Sequence, residues 1–128
     1  MKVLDTTFLI DLIRGQKDTA KIMDSNEPLL TTQINMYEVI RGMFIRNVSE
    51  EKYLQISEFF DQIRLLSLDD NSIIKSAEIS SELIKNGQFI GDADCLTAGI
   101  ALSNGVTTIV TRNVEHFKRI KGIKVESY

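Results

Sequence analysis

The sequence predicts an α/β fold: a three-layer αβα sandwich with a central, mostly parallel sheet of four to five strands. Short apolar or β-branched runs alternate along the chain with segments whose apolar residues recur at helical spacing. Glycine or an asparagine–glycine pair ends several of the helical segments. The sequence contains no repeats and no low-complexity stretches, so we expect the strands and helices to form one domain.

The first half of the chain predicts two strands and four helices. Pro28 separates the second helix from the second strand, and Ser49 followed by early carboxylates is typical of a helix start. The predicted elements are a strand at Val3-Leu4, a helix through Phe8 to Gly15, a helix over 17–25, a strand over 29–32, a helix over 33–47 and a helix over roughly 50–64.

The second half predicts the rest of the sheet. Its clearest strand is the β-branched run over 106–111. The other predicted elements are a strand over 64–68, a long helix from Asp69 to Asn86-Gly87, a helix from Gly91 to Asn104-Gly105, a short helix around Phe117 and an edge strand over 123–125.

Bulk composition bounds the class of protein. The 128 residues are expected to form a single domain over 1–128, with 43% hydrophobic and 26% charged residues. A net charge of −3 argues against a wholly basic surface for nucleic acid, although not against a local one. Cys95 is the one cysteine, and no apolar run is long enough to span a bilayer. We therefore expect a cytoplasmic protein without membrane contact.

Acidic and amide side chains fall where the predicted strands end. Asp5 follows the first strand, Glu38 lies early in the helix after the second, and Asn113 follows the fourth. Asp92 and Asp94 open a helix, where the dipole favours negative charge. Ligands bind at the carboxyl ends of parallel strands, so four segments can bring oxygen atoms to one edge.

Clustered carboxylates repel one another, and a divalent cation removes that repulsion. Mg²⁺ and Mn²⁺ prefer carboxylate and water oxygens, and either can activate a water for attack on a phosphate. The sequence also allows structural alternatives: Asp5 as a cap satisfied by the Thr7 and Phe8 amides, Glu38 on a solvated helix face, and Asp92 or Asp94 as a helix cap.

Three runs together resemble the PIN-domain nucleases, most closely the VapC type, the toxins of toxin–antitoxin pairs. They are LDTTFLIDLIRG, TTQINMYEVIRG and IGDADCLTAGIALSNGVTTIVTRNVEHFKRIKGIKV. The resemblance covers essentially the whole chain in the same order. It implies a PIN-like fold.

Site residues carry over from this resemblance by position. Asp5, Glu38 and Asp94 match three acidic residues that act in metal binding and catalysis. Supporting roles fall to the hydroxyls after the first acid, to a second acid near the third, and to the fourth corner of the site: Thr6, Thr7, Asp92 and Asn113. The family's fourth acidic position is occupied by Asn113 here, as it is by asparagine in many toxin-type relatives, and this leaves the number of metals open.

The resemblance further implies an Mg²⁺- or Mn²⁺-dependent endoribonuclease, a cognate VapB-like antitoxin and a homodimer. RNA needs local positive charge, and the residues expected to supply it are Arg41, Arg46, Arg112 and Lys118. An ordinary solvated face explains such residues nearly as well. The lone histidine, His116, is expected at the surface, and Cys95 in the core.

A receiver-like signalling module with an acidic pocket and no nuclease activity is the alternative function. It shares the size and the alternation of strands and helices. Such a module needs an acceptor aspartate at the end of a central strand, a place that Asp69 could fill, and a lysine after the last core strand. Here Arg112 and Asn113 follow that strand.

Overall fold

The computed structural model describes residues 1–128 and contains a five-stranded parallel sheet with helices on both faces. The strands are β1 (Lys2–Leu4), β2 (Leu29–Thr32), β3 (Arg64–Leu66), β4 (Thr108–Val110) and β5 (Lys124–Glu126). The helices are α1 (Thr6–Ile13), α2 (Ala20–Met23), α3 (Gln33–Arg46), α4 (Glu50–Gln62), α5 (Asp70–Lys85), α6 (Asp92–Ser103) and α7 (Val114–Lys118). The predicted fold class is confirmed.

Strand order places β1 at the centre of the sheet. The order is β3-β2-β1-β4-β5 and every neighbouring pair is parallel. The chain builds outward from β1 to β3 and then crosses back to β4 on the other side of β1. The carboxyl ends of β1 and β4 therefore flank the point where the strand order reverses, the usual position of a ligand crevice in such sheets.

Alternation along the strands divides the core into two layers. Val3 and Ile109 pack into a cluster under α5, α6 and α7, whereas Leu4 and Val110 pack into a second cluster under α1, α3 and α4. Successive side chains of a strand point to opposite faces, so a buried strand must be apolar on both. This requirement explains the continuous apolar runs.

Most element boundaries agree with the sequence to within a few residues. The predicted helix over 17–25 is a 3-10 turn over Lys17–Thr19 that continues into α2. The third strand ends two residues before Leu68, because the Leu68 amide donates to Gln33 Oε1 at 3.1 Å instead of to a neighbouring strand. None of the helices combines the length and apolar character needed to cross a membrane.

Candidate active site

Asp5 is the first residue after β1, and its side chain is 2% exposed. The hydroxyls of Thr111 and Thr7 donate to Asp5 Oδ2 at 2.7 and 3.1 Å, and Asn35 Nδ2 donates to Oδ1 at 3.1 Å. The backbone of Asp5 caps α1, but its side chain makes no capping hydrogen bond. The structural alternative that the carboxylate caps α1 is therefore wrong, because the side chains of Thr7, Thr111 and Asn35 hold it instead.

Asn35 is a buried member of this network that the sequence did not single out. Thr32 Oγ1 donates to Asn35 Oδ1 at 2.7 Å, which fixes the orientation of the amide. The Asn35 amide nitrogen then also donates to Thr6 Oγ1 at 3.0 Å. Asn35 precedes Glu38 by three residues in α3, a spacing that places both on one helix face and that could have identified it.

Glu38 joins the site through Thr6. The Thr6 hydroxyl donates to Glu38 Oε1 at 2.6 Å, and the Glu38 side chain is half-buried. The alternative that Glu38 lies on a solvated helix face is therefore only partly correct, because one side of its carboxylate faces the site. Glu38 reaches Asp5 through a chain of hydrogen bonds that runs by way of Thr6 and Asn35.

Asp94 lies in the first turn of α6 and pairs with the lone histidine. His116 Nδ1 stands 2.9 Å from Asp94 Oδ2, and the Asp94 side chain is 16% exposed. The N-cap residue of α6 is Gly91, and no side chain makes a capping hydrogen bond at this helix start. The expectation that Asp92 or Asp94 caps the helix is therefore wrong. Asp92 is exposed, whereas Asp94 turns toward α7.

The electrostatics of the site link Asp5 to Asp94. Burial raises the pKa of Asp5, and the negative charge of Asp94 raises it further, while the Thr111 and Thr7 hydroxyls act in the opposite direction. Two carboxylates thus repel each other at the carboxyl edge of the sheet. No three acidic, histidine or cysteine side chains come together in a geometry that would hold a metal ion.

Asn113 stands at the fourth corner, at the start of α7. Its backbone amide donates to Thr111 Oγ1 at 2.9 Å, and its side chain is half-buried. This hydrogen bond from the Asn113 amide orients the Thr111 hydroxyl, which in turn donates to Asp5. Asn113 therefore contributes through its backbone to the placement of Thr111.

Comparisons with known proteins identify the family of the chain. The PIN domain family model matches residues 2–123. The chain belongs to the PIN domain family. It is 32% identical over 99 residues to ribonuclease VapC3 of Methanocaldococcus jannaschii, covering 77% of this chain and 95% of that protein.

Two further similarities extend over nearly the full chain. The PIN domain is 28% identical over 129 residues to the tRNA(fMet)-specific endonuclease VapC of Salmonella typhimurium, covering 98% of this chain and 96% of that protein. It also superposes on the crystal structure of DNA-bound VapBC from Salmonella typhimurium with a TM-score of 0.85 and 27% identity, over 98% and 96% of the two chains.

The four basic residues predicted to bind RNA lie in different parts of this PIN domain. Arg41 stacks over the Tyr37 ring at 5.3 Å on an exposed face of α3. Arg46 lines a groove that Glu38 also lines. The Arg112 guanidinium pairs with Asp11, and Lys118 Nζ lies 3.9 Å from Glu115. Their role toward RNA stays a prediction.

The receiver-like alternative is not favoured by the topology of the PIN domain. Asp69 follows β3, which is an edge strand and not a central one. Its carboxylate accepts from the Ser72 amide at 2.9 Å in a capping box at the start of α5, and this bonding lowers the pKa of Asp69. Asp69 is therefore a helix cap, as its spacing before Ser72 would suggest.

Proposed function

We propose that this PIN domain is a metal-dependent endoribonuclease and the toxin of a toxin–antitoxin pair. The observation that carries the proposal is the repelling pair of Asp5 and Asp94 at the strand-order reversal of a PIN fold. The similarity to VapC proteins named as ribonucleases and as a tRNA-specific endonuclease supports RNA as the substrate.

The donor set suits Mg²⁺ or Mn²⁺. Mg²⁺ in phosphate-processing sites keeps several waters and is bound by one or two carboxylates together with substrate phosphate oxygens. Asp5 and Asp94 would supply those carboxylates, so a third protein ligand is not required. When bound, the ion supplies a water of lowered pKa and positive charge for the leaving oxygen of the phosphodiester.

The protein side chains orient the reaction around the ion site. Thr7, Thr111 and Asn35 fix Asp5 in one orientation, as outer hydrogen-bond partners of ligands generally do. Glu38 has its Oε1 occupied by Thr6, which leaves Oε2 to accept a hydrogen bond from the attacking water. Attack forms a bond from water oxygen to phosphorus and breaks the bond to the 3′ oxygen, so one RNA product ends in a 3′-hydroxyl and the other begins with a 5′-phosphate.

The decisive experiment removes and restores the metal. Purified protein incubated with a panel of RNAs, including initiator tRNA because the Salmonella relative is named for it, should cleave with Mg²⁺ or Mn²⁺. Cleavage should stop in excess EDTA and return when Mn²⁺ is added beyond the chelator. Gel analysis and end-labelling identify the products.

A matched pair of variants accompanies the metal experiment. Asp94→Asn should lose cleavage, whereas Asp70→Asn, which changes an exposed acid in the first turn of α5, should retain it. Full cleavage in excess EDTA would contradict metal dependence. Failure to cut any RNA with Mn²⁺ present would contradict the nuclease proposal itself.

Thr111→Val tests the orientation of Asp5. The substitution keeps the shape of the side chain but removes the 2.7 Å hydrogen bond to Asp5 Oδ2. We expect cleavage to fall about 10- to 100-fold, the usual cost of losing an outer-shell partner of a metal ligand. Thr107→Val, which changes an exposed residue before β4, is the control, and equal rates for both variants would contradict the orienting role.

A VapB-like antitoxin is the expected protein partner, because the superposed Salmonella structure is a VapBC complex. An apolar groove of about 430 Å³ between α1, α3 and α4 offers it a docking surface next to Glu38. A basic antitoxin segment would neutralise the acidic site.

The exposed α3 side chains Tyr37, Phe44 and Ile45 are the surface we assign to a homodimer.

A further inference from the structure

Asp11 is a buried carboxylate that the proposed reaction does not use. It lies in α1, six residues after Asp5, and is 6% exposed. A buried carboxylate needs hydrogen-bonded or charged partners. Tyr128 Oη donates to Asp11 Oδ2 at 2.5 Å, and Arg112 Nε forms an ion pair with the same oxygen at 2.8 Å. Asp11 thereby joins three segments that are far apart in sequence.

Tyr128 is fixed in this position by its ring as well as by its hydroxyl. The ring packs edge-on against Phe8 of α1, with centroids 4.9 Å apart. Burial and the neighbouring Asp11 raise the pKa of Tyr128 to about 12, so its hydroxyl remains a donor at neutral pH. The segment after β5 is thus attached to α1 directly beside the Arg112 guanidinium.

Arg112 is the residue through which this contact reaches the candidate site. It stands between Thr111 and Asn113 in the turn after β4, and its backbone amide donates to Thr7 Oγ1 at 2.9 Å. Thr7 and Thr111 are the two residues whose hydroxyls donate to Asp5 Oδ2. Arg112 is therefore held from both ends, with its side chain on Asp11 and its backbone on Thr7.

We propose that Asp11 is a positioning residue of the nuclease. Together with Tyr128 it holds Arg112, and so keeps the turn after β4 where Thr7 and Thr111 orient Asp5. The inference rests on the proposed nuclease function for its kinetic consequence, although the contacts themselves do not depend on it. Asp11 is not a catalytic residue, since its carboxylate is occupied by Tyr128 and Arg112.

Asp11→Leu and Tyr128→Phe test the proposal in the full chain. Leucine keeps the branched shape of the side chain but accepts no hydrogen bond, and we expect kcat for RNA cleavage to fall roughly 10- to 100-fold, in the range of a small misplacement of catalytic groups. Phenylalanine keeps the ring against Phe8, so kcat should fall about fivefold, equivalent to one hydrogen bond. In both variants KM for RNA should change less than about twofold, since no RNA contact is removed.

Variants of Arg112 separate positioning from RNA binding. Arg112→Lys keeps a cation for Asp11 and should retain most of kcat, whereas Arg112→Met should resemble Asp11→Leu. The double variant of Asp11→Leu and Arg112→Met should be no worse than Asp11→Leu alone, because Asp11→Leu already breaks the contact that Arg112→Met removes. A raised KM in Arg112→Met, with normal kcat in Asp11→Leu, would overturn the proposal and assign Arg112 to RNA alone.

Amide hydrogen exchange gives a readout that does not need RNA cleavage. In Asp11→Leu and Tyr128→Phe the Arg112 and Asn113 amides should exchange faster, while core amides of β1 and β4 remain protected. Tyr53→Phe is the control, because Tyr53 lies on α4 and its ring contacts Phe44. Unchanged Arg112 exchange in Asp11→Leu would overturn the inference. If the wild type cuts no RNA but the Arg112 amide exchanges faster in Asp11→Leu, the positioning contact stands and only the nuclease function is rejected.

Discussion

Asp5→Asn should lower RNA cleavage by more than about 100-fold, because it removes the charge of a proposed metal ligand. This loss exceeds the usual cost of removing a hydrogen-bond partner of such a ligand. The variant should nevertheless fold. Asparagine can accept from Asn35 with its oxygen and donate to Thr7 and Thr111 with its nitrogen, since both hydroxyls can rotate to accept. Every buried polar atom of the wild-type arrangement therefore keeps a partner.

The unfolding free energy of Asp5→Asn distinguishes loss of chemistry from loss of fold. The raised pKa of Asp5 means that the folded protein retains a proton at pH values where the unfolded chain has lost it. Stability is then highest below the ordinary carboxyl pKa and falls as pH rises through the raised value. At neutral pH with EDTA, Asp5→Asn should be at least as stable as the wild type in urea. Cleavage by Asp5→Asn at the wild-type rate would contradict the role of Asp5. A large loss of stability would contradict the argument that every buried polar atom keeps a hydrogen-bond partner in the variant.

Local signals in the sequence were sufficient for the elements that position the site. Ser49 accepts from the Lys52 amide at 3.1 Å, and Asp69 forms its capping box with Ser72, as residue types at helix starts predict. The ends of strands were less predictable where a backbone amide donates to a side chain of another element instead of to a neighbouring strand. Leu68, whose amide bonds to Gln33, is the example, because nothing in the run RLLSL specifies that contact.

The acidic residues and Asn113 of the candidate site were predictable, because each stands at a strand end, at a helix start or in the helix that follows a strand. Asp5 and Asn113 follow strands that sequence patterns locate, so the edge they share could be inferred. Asn35 and His116 were missed because their significance comes from contacts across the fold, with Asp5 and Asp94 respectively. Asp11 was missed for the same reason, since within the run LDTTFLIDLIRG it reads as a polar position of an amphipathic helix.

Gly99→Ala should destabilise the protein by about 3 kcal/mol, at the upper end of the cost of overpacking. Gly99 is buried in α6 against α5, and an added Cβ would stand 1.9 Å from Ser76 Oγ, 2.8 Å from Ser76 N and 2.9 Å from Ser76 Cα. A side chain can rotate, but two of these atoms are backbone, so the helices must separate. Because α6 carries Asp94, the separation should also reduce RNA cleavage. The urea midpoint and the cleavage rate are the measurements.

Gly42→Ala is the matched control for Gly99→Ala, because Gly42 also lies within a helix and an added Cβ would meet nothing within 4 Å. Alanine there should raise stability by about 0.5–1 kcal/mol through helix propensity alone. Ser76→Ala combined with Gly99→Ala should recover only part of the loss, since the backbone contacts persist. Wild-type stability in Gly99→Ala would mean that α5 and α6 pack less closely than the structure has them, and full recovery in the double variant would assign the cost to the Ser76 hydroxyl alone.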